Sequence, residues 1–263
     1  MSEAEKVIKD HYSVYDEDAR LVSKHGNVEF VTTMRYIEKY LKKGDRVFEI
    51  GAGTGRYSHA IAQKGYVVDA VELVERNIEV FKSRTLPEEI ISVVQGNAVD
   101  LTLFKDNTYV ITLLLGPMYH LFTVEEQKKA LKEALRVTKR GGVVFVAYCG
   151  NDATVVQFLF GKNMTDTPPY NALFDRKTFK LSSTPEEIFV LHRKEDIDAL
   201  MSDFEVERLH FVGTDMATQY MRETVDEMDD KTYALYLDYV LATCERQDLV
   251  GVSNHLLDIF RKK

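Results

Sequence analysis

Apolar residues follow two kinds of pattern along the first 150 positions of the chain. Short apolar runs predict buried strands, and segments whose apolar residues recur about every 3.6 positions predict helices. Strands are expected at 46–50, 67–73, 91–97, 109–116 and 143–148, and helices at 28–43, 56–63, 75–84 and 123–138. Because strands that alternate with helices pair in parallel, this part of the chain predicts a doubly wound α/β sheet.

The pattern changes after residue 148. Residues 150–184 have no regular period and contain Pro168-Pro169 and several phenylalanines, so an inserted cap is expected there. Helix is expected again over 185–201, a strand over 204–213, a second, tyrosine-rich helical insertion over 216–250, and a last strand over 255–260. The late pair of strands predicts a seven-stranded, mostly parallel sheet that ends with one antiparallel strand.

Residues 1–263 are expected to form one domain, because no linker-like segment divides the chain. Residues 1–27 precede the predicted sheet as an N-terminal segment. Hydrophobic residues make up 45% of the chain and charged residues 29%, a balance typical of globular proteins. The formal net charge of −8 argues against a nucleic acid as the main partner, because phosphate binding relies on clustered Lys and Arg.

The chain shows no targeting or metal-binding pattern. The N-terminus lacks the apolar core of a secretory signal, and no apolar run is long enough to span a bilayer. Cys149 and Cys244 are the two cysteines, and neither they nor any His, Asp or Glu stand at metal-ligand spacing. A cytoplasmic protein without a metal or a membrane partner is therefore expected, and its oligomeric state is left open.

A glycine-rich turn follows the first predicted strand. The segment "VFEIGAGTGRYS" (47–58) has the order strand, glycine turn, helix, which brings backbone N–H groups close to a bound anion or nucleotide. Glu72 ends the next strand about twenty residues later, where an acid can accept hydrogen bonds from both hydroxyls of a ribose. The alternative is that Glu72 is a solvated acid at a strand end. The glycine turn upstream favours the interpretation that Glu72 binds a ligand.

Other nucleotide-binding patterns are absent from the sequence. Arg56 stands where the longer dinucleotide form has its third glycine, and none of the 14 tyrosines is followed four residues later by a lysine. No Gly-Lys-Ser/Thr phosphate loop is present. The Tyr-Lys pair is the usual proton donor of short-chain dehydrogenases, so these absences argue against that class and against a phosphate-loop nucleotide site.

Five motifs in order resemble those of the class I S-adenosylmethionine-dependent methyltransferases, which have a Rossmann-like fold. They are "VFEIGAGTGRYS", "VDAVELVERNIEVFK", "VVQGNAVDL", "ITLLLGPMYHL" and "ALRVTKRGGVVFVAY", and they run from about residue 45 to residue 148. The string Gly-Pro-x-Tyr-His-Leu at 116–121 is similar to that of bacterial methyltransferases that act on small molecules. The resemblance implies S-adenosylmethionine as the cofactor.

The resemblance also implies a role for each matching residue. Glu49 and the turn Gly51, Ala52 and Gly53 would hold the methionine end of the cofactor, and Glu72 would bind the ribose hydroxyls. Leu73 would pack on the adenine, with Asn97 and Ala98 at its edge and Leu115 and Gly116 beside the sulfonium. The chain departs from the family at Asn97, where an aspartate is usual, and at Tyr109-Val110, which replaces an aromatic-Asp pair.

Candidate catalytic residues follow the fourth predicted strand. Methyl transfer needs a dry chamber and, for an amine or hydroxyl, a base that titrates near neutrality. Tyr119 and His120 stand where this chamber is expected, and one of them is predicted to orient the nucleophile or to accept its proton. The alternative is that His120 bonds a backbone carbonyl and that Tyr119 packs on the following helix. His59 and His192 are expected to be surface or cap residues.

The N-terminal segment 1–27, which contains "HYSVYDEDARL", is a second candidate region, and the resemblance implies that it folds over the cofactor as a lid. Tyr12 and Tyr15 are predicted to cover the cofactor and Arg20 to pair with its carboxylate, whereas a solvated amphipathic arm is the alternative. The sequence as a whole predicts transfer of a methyl group to an N or O nucleophile of a small molecule. The alternatives are transfer to RNA or protein, a nucleotide-dependent oxidoreductase, and a cofactor-binding protein without catalysis.

Overall fold

The computed structural model describes residues 3–14 and 23–263, so Tyr15 and Arg20 lie outside the described residues. The helices are α1 (Glu3–Val14), α2 (Lys24–Tyr40), α3 (Arg56–Ala62), α4 (Glu75–Arg84), α5 (Val124–Val137), α6 (Asn151–Thr154), α7 (Tyr170–Leu173), α8 (Lys194–Met201), α9 (Arg222–Glu227) and α10 (Asp230–Thr243). The strands are β1 (Arg46–Ile50), β2 (Val67–Glu72), β3 (Ile91–Gln95), β4 (Tyr109–Leu114), β5 (Thr138–Gly150), β6 (Phe174–Asp175), β7 (Lys180–Leu181), β8 (Leu191–His192), β9 (Val206–Gly213) and β10 (His255–Lys262).

The main sheet has the strand order β3-β2-β1-β4-β5-β10-β9, and the two-residue strand β8 adds to β5. β10 runs antiparallel to β5 and to β9, while the other pairs are parallel. The predicted α/β fold with one antiparallel strand is therefore confirmed, and β8 makes the sheet eight-stranded. Because β10 runs in the opposite direction, its first residue lies at the edge where β1, β2 and β4 end.

Helices cover both faces of the sheet. Successive side chains of a strand point to opposite faces, so Val47 packs on the side of α2 and Phe48 on the side of α5. The same alternation continues in β5, where Phe145 faces α2 and Val146 faces α5. These residues are fully buried, and the two layers hold β1 and β4 rigidly below the turns that follow them.

Both insertions leave the edge of the sheet where the parallel strands end. Residues 150–184 form α6, a π-helix (Val155–Phe160), α7 and the hairpin β6-β7, with a small core of their own around Leu159 and Phe174. Residues 216–250 form a 3-10 turn (Met216–Met221) followed by α9 and α10, and the Tyr233 hydroxyl of α10 donates to the Lys24 carbonyl of α2. No helix within residues 3–14 or 23–263 is both long enough and apolar enough to cross a bilayer.

The helix expected over 185–201 was predicted too long. A 3-10 turn begins at Pro185, and Ile188 then adopts a φ of +69°, which a helix cannot contain. Residues Leu191–His192 pair instead with the end of β5, and helix α8 begins only at Lys194. A non-local strand pairing therefore overrides the helical pattern.

The two histidines expected to be surface or cap residues are both buried. His192 lies in β8 and is 5% exposed, with Nε2 3.3 Å from Gln127 Oε1. His59 of α3 is 9% exposed, with Nδ1 2.7 Å from Glu89 Oε2. Each imidazole has a polar partner at one ring nitrogen, which offsets part of its desolvation cost, while His59 Nε2 and His192 Nδ1 have no hydrogen-bond partner among the described residues.

Candidate functional site

The turns that follow β1 and β4 pack directly against each other. Gly51 has a φ of +72°, and a Cβ atom added to it would lie 2.7 Å from the Pro117 ring. A Cβ atom added to Gly116 would lie 3.3 Å from the Gly51 carbonyl oxygen. Gly51 is therefore fixed as glycine by both space and backbone conformation, and the Gly116-Pro117 end of the apolar run "LLLGPMYHL" fits against it.

A cavity of about 280 Å³ lies beside these two turns, at the edge of the sheet where β1, β2 and β4 end. All of the predicted cofactor-binding and catalytic residues that the structure describes border it. They are Glu49, Gly51, Ala52, Gly53, Glu72, Leu73, Asn97, Ala98, Leu115, Gly116, Tyr119 and His120. The fold therefore brings residues from four separate sequence motifs to one place, and their individual roles stay predictions.

Glu72 ends β2 and is 6% exposed. Its Oε2 accepts a hydrogen bond from the Gly53 N–H at 2.9 Å, and its Oε1 accepts from the Val74 N–H at 2.9 Å and from Asn77 Nδ2 at 3.2 Å. Burial raises the pKa of Glu72, and these three donors partly offset the rise. Glu72 is therefore not a solvated strand-end acid, since it holds the glycine turn in shape.

Glu49 is a second buried carboxyl group beside the same cavity. It is 2% exposed, and its side chain accepts a hydrogen bond from the Ser58 hydroxyl of α3. Burial raises the pKa of Glu49 to about 8, the Ser58 bond opposes the rise, and the charge of Glu72 adds to it. A cation bound in this cavity would favour the ionised form of Glu49, because opposite charges lower the pKa of an acid.

Asn97 connects the turn after β3 to the N-terminal helix. Its Oδ1 accepts a hydrogen bond from the Val99 N–H at 3.1 Å, and its Nδ2 donates to Glu5 Oε1 of α1 at 2.6 Å. The predicted bond from an adenine amino group to Asn97 would share this oxygen, which has two lone pairs. Asn97 therefore shapes the cavity wall whether or not it touches a ligand directly.

His120 and Tyr119 are both hydrogen-bonded. The Tyr119 hydroxyl donates to the Leu115 carbonyl at 2.9 Å. His120 donates from Nδ1 to the Ile188 carbonyl at 3.0 Å, so its Nε2 accepts from the Tyr12 hydroxyl, also at 3.0 Å. Loss of water around the imidazole lowers the pKa of His120 to about 4, which keeps it neutral near pH 7. The expectation that His120 bonds a backbone carbonyl is met, and its ring also borders the cavity.

Helix α1, which belongs to the segment predicted as a lid, contributes residues to the wall of the smaller cavity. Ile8 is 8% exposed and borders the cavity together with Glu5 and Tyr12. The His11 ring packs edge-on against Phe189, with the ring centres 6.4 Å apart. Glu5, Ile8 and the α2 residue Glu29 were not among the predicted site residues, because no motif marks a residue that reaches a site from a separate covering helix.

A second cavity of about 1130 Å³ adjoins the first. Tyr12 and Tyr119 border both cavities, so they mark the junction between them. The two insertions supply much of the wall of the second cavity, including Gln157, Phe158, Tyr170, Gln219, Tyr220 and Arg222. Among residues 3–14 and 23–263, no three His, Cys, Asp or Glu side chains come together as metal ligands do.

Comparison with known proteins finds similarity over the part of the chain that carries most of this site. Residues 48–146 match the family model described as a methyltransferase domain. The demethylmenaquinone methyltransferase of Clavibacter sepedonicus is 33% identical over 136 residues, which are 51% of this chain and 53% of that protein. The chain thus spans about half the length of this curated relative. Residues 48–146, which match the family model, run from β1 to β5 and contain most of the residues that border the smaller cavity.

Solved structures share the fold. A possible histamine N-methyltransferase from Thermotoga maritima superposes with a TM-score of 0.57 at 18% identity, over 98% of this chain and 99% of that chain. Phosphoethanolamine N-methyltransferase 1 of Haemonchus contortus, solved with phosphoethanolamine and S-adenosylhomocysteine, gives 0.61 at 14% identity, over 98% of this chain and 48% of that chain. At such identities the likeness shows the fold alone, which is the Rossmann-like methyltransferase fold.

Proposed function

We propose that this protein is an S-adenosylmethionine-dependent methyltransferase that transfers a methyl group to an N or O nucleophile of a small molecule. The methyltransferase-domain match, the methyltransferase relatives and the shared fold support this class of enzyme and its cofactor. One observation carries the proposal: the cavity of about 280 Å³ lies between a glycine turn and two buried carboxyl groups, Glu49 and Glu72.

The residues around the smaller cavity suit this cofactor chemically. No atom lies within 4 Å of a Cβ placed on Gly53, so a ligand can approach the backbone there. The carboxyl groups suit a cationic amino group at Glu49 and ribose hydroxyls at Glu72, because carboxylate oxygens accept hydrogen bonds from both. The apolar side chains of Leu73 and Ala98 suit the faces of an aromatic base.

When bound, S-adenosylmethionine supplies a methyl group on a positively charged sulfur, which leaves as a neutral thioether. The protein then has to position the acceptor in line with that methyl group and to exclude water. Tyr12 and Tyr119 stand at the junction of the two cavities, where their rings can face the positively charged sulfur before transfer. His120 holds the Tyr12 hydroxyl through its Nε2 and so fixes one side of this junction.

Calorimetry with S-adenosylhomocysteine and with NADH tests the proposed cofactor. We expect binding of S-adenosylhomocysteine and none of NADH. Glu72→Ala is expected to weaken S-adenosylhomocysteine binding by roughly 10- to 100-fold, since it removes a charged acceptor and loosens the turn at Gly53. The opposite ligand preference would contradict the proposed class, and an unchanged affinity would remove Glu72 from cofactor binding.

Asp69→Asn is the matched control for Glu72→Ala. Asp69 lies on the same strand and is also buried, but it bonds Arg46 Nε at 2.6 Å and the Ser92 hydroxyl at 2.7 Å, away from the cavity. This variant is expected to lower stability and to leave the affinity for S-adenosylhomocysteine unchanged. Equal losses of affinity in both variants would mean that Glu72 acts only through general stability.

The size and walls of the larger cavity support a small-molecule acceptor. Its volume of about 1130 Å³ accommodates a metabolite, and aromatic rings alternate with amide and hydroxyl groups around it. The formal charge of −8 disfavours RNA. A screen with methyl-labelled cofactor against small metabolites, RNA and protein tests the acceptor class, and label on RNA, on protein or on a carbon atom would contradict this part of the proposal.

A further inference from the structure

A cluster of aromatic rings lies where the two cavities meet. The ring centre of Phe189 lies 5.8 Å from that of Tyr119 and 5.4 Å from that of His120. The Tyr12 ring packs edge-on against His120, with 5.5 Å between their centres. Phe189 borders the larger cavity, His120 borders the smaller one, and the two tyrosines border both. Aromatic side chains therefore form part of the wall at the junction of the two cavities.

The rings of this cluster are uncharged near neutral pH. The Tyr12 hydroxyl donates its proton to His120 Nε2, and the Tyr119 hydroxyl donates to the Leu115 carbonyl. Burial lowers the pKa of His120 to about 4, so its imidazole carries no charge at pH 7. The cluster thus offers neutral π-systems, and the negative face of such a ring attracts a cation.

The segment 187–189 carries two side chains to the wall of the larger cavity. Ile188 is 8% exposed, and its carbonyl accepts the bond from His120 Nδ1 at 3.0 Å. Its φ of +69° is unusual for a β-branched residue and is maintained by the structure around it. Glu187 and Phe189, on either side of this buried residue, both border the larger cavity. A carboxylate and an aromatic ring are therefore presented by one fixed turn of the chain.

Carboxylates add to the preference of the rings for positive charge. Glu187 accepts a hydrogen bond from the Tyr170 hydroxyl, and a carboxylate has further acceptor positions for a ligand. Among the described residues, the charged side chains that border the smaller cavity are Glu5, Glu29, Glu49, Glu72, Glu126 and Arg56. This excess of acidic residues favours a cation near the junction over an anion.

We infer that the methyl acceptor is a primary or secondary organic amine, and that Phe189 and Glu187 determine this specificity. The inference rests on the proposed methyltransferase function and narrows it from an N or O nucleophile to nitrogen. The lone pair of the neutral amine forms the bond to the methyl carbon, while the methyl–sulfur bond breaks and its electron pair stays on sulfur. The positive charge moves from sulfur to nitrogen, and the ammonium product releases a proton to water afterwards.

A hydroxyl acceptor suits this junction less well. It has to lose its proton as the new bond forms, so it needs a base nearby. His120 has both ring nitrogens bonded to protein groups and a pKa near 4, which makes it a poor base near neutral pH. An amine keeps its protons until the methyl group is attached, so its reaction depends on stabilising a cation, which aromatic rings and carboxylates do.

Calorimetry with choline and with its uncharged analogue tests the inference without an identified acceptor. In the analogue a tert-butyl group replaces the trimethylammonium group, so the two probes share one shape and differ in charge. With S-adenosylhomocysteine present, we expect choline to bind at least about fivefold more tightly, because it carries the charge of the ammonium product. Equal affinities, tighter binding of the analogue, or no binding of choline would overturn the inference.

Variants of the two specificity residues test their roles. Phe189→Leu removes the ring and Glu187→Gln removes the charge, so each should lower choline affinity at least about threefold and leave the affinity for the analogue unchanged. Phe160→Leu and Glu186→Gln are the matched controls, because both residues are exposed and border neither cavity. Equal losses in the controls would overturn the two roles. The comparison of the two probes on the wild-type protein decides the acceptor class even if a variant fails to fold.

A transfer assay with a deuterated methyl group on the cofactor and a small-metabolite extract locates the new bond. Mass spectrometry should place the label on an amine nitrogen. Label on a hydroxyl oxygen would overturn this inference and leave the proposed function intact. Failure of the wild-type protein to bind S-adenosylhomocysteine would instead contradict the proposed function, so the two failures are distinct.

Discussion

At the scale of the residue, Gly51 combines a steric and a conformational demand. Gly51→Ala would place a methyl group against the Pro117 ring at a backbone φ of +72°, so we expect a loss of unfolding free energy of about 2–4 kcal/mol. Gly65→Ala is the control, because Gly65 has a φ of +87° but open space around a Cβ atom. Denaturant unfolding of both variants measures the difference, and equal losses would show that the contact with Pro117 contributes nothing.

Glu49 gives a prediction about pH. Its pKa rises from 4.5 to about 8 on folding, so the unfolded chain ionises first and stability is lost as pH rises from 4.5 towards 8. Glu49→Gln cannot ionise. The variant should therefore match the wild-type protein in thermal unfolding near pH 4.5, and it should melt at a higher temperature near pH 8. A wild-type advantage at pH 8 in the absence of ligand would contradict the raised pKa.

The same variant separates stability from binding. Glu49→Gln removes the negative charge that a cationic group would meet, so S-adenosylhomocysteine affinity should fall in calorimetry even where thermal stability rises.

The contacts of single residues explain which predictions the sequence allowed. Glu72 follows the glycine turn by about twenty positions and could be predicted as its partner, whereas the bond between His120 and Ile188 joins positions 68 apart, and no local pattern connects them.

At the scale of the element, His120 joins the turn after β4 to helix α1 through its hydrogen bond with Tyr12. Its imidazole is neutral near pH 7 in the folded state. The pKa of His120 falls from 6.5 to about 4 on folding, so its contribution to stability is present above pH 6.5 and is lost as pH falls towards 4. His120→Gln should therefore lose less stability than the wild-type protein between pH 6.5 and pH 4 in thermal unfolding.

His192→Gln is the control for this element. His192 also has its pKa lowered to about 4 by burial, but it lies in β8 and borders neither cavity. Both variants should lose less thermal stability than the wild-type protein as pH falls from 6.5 towards 4. Only His120→Gln should change the affinity for S-adenosylhomocysteine. If His192→Gln changed that affinity equally, the Tyr12–His120 bond would not explain the effect.

Elements with strong local signals were predicted well. β1 and α4 have the expected bounds, because each is set by adjacent turn signals and by its own apolar pattern. The error over 185–193 has a different cause. The pairing of Leu191 with Cys149 joins positions about forty residues apart, and the positive φ of Ile188 is imposed by the surrounding fold. Neither is visible in a local window.

At the scale of the whole molecule, the smaller cavity links α1 to the sheet. Glu5, Ile8 and Tyr12 border this cavity, so a bound ligand should hold α1 in place. We expect S-adenosylhomocysteine to slow hydrogen exchange in residues 3–14 and to leave α10 unchanged, because the α10 residues do not border the smaller cavity. Exchange that is equally fast in α1 with and without the ligand would show that α1 does not respond to occupancy.

The two insertions arise from positions after β5 and β9, while the walls of the smaller cavity come largely from β1 to β4 and their turns. Under the proposed function, acceptor choice and cofactor binding would therefore lie on largely separate stretches of chain. Such a separation lets a lineage exchange one set of loops and acquire a new substrate while the donor half stays intact. The same separation makes residues 150–184 and 216–250 natural units to transplant between relatives when a new specificity is engineered.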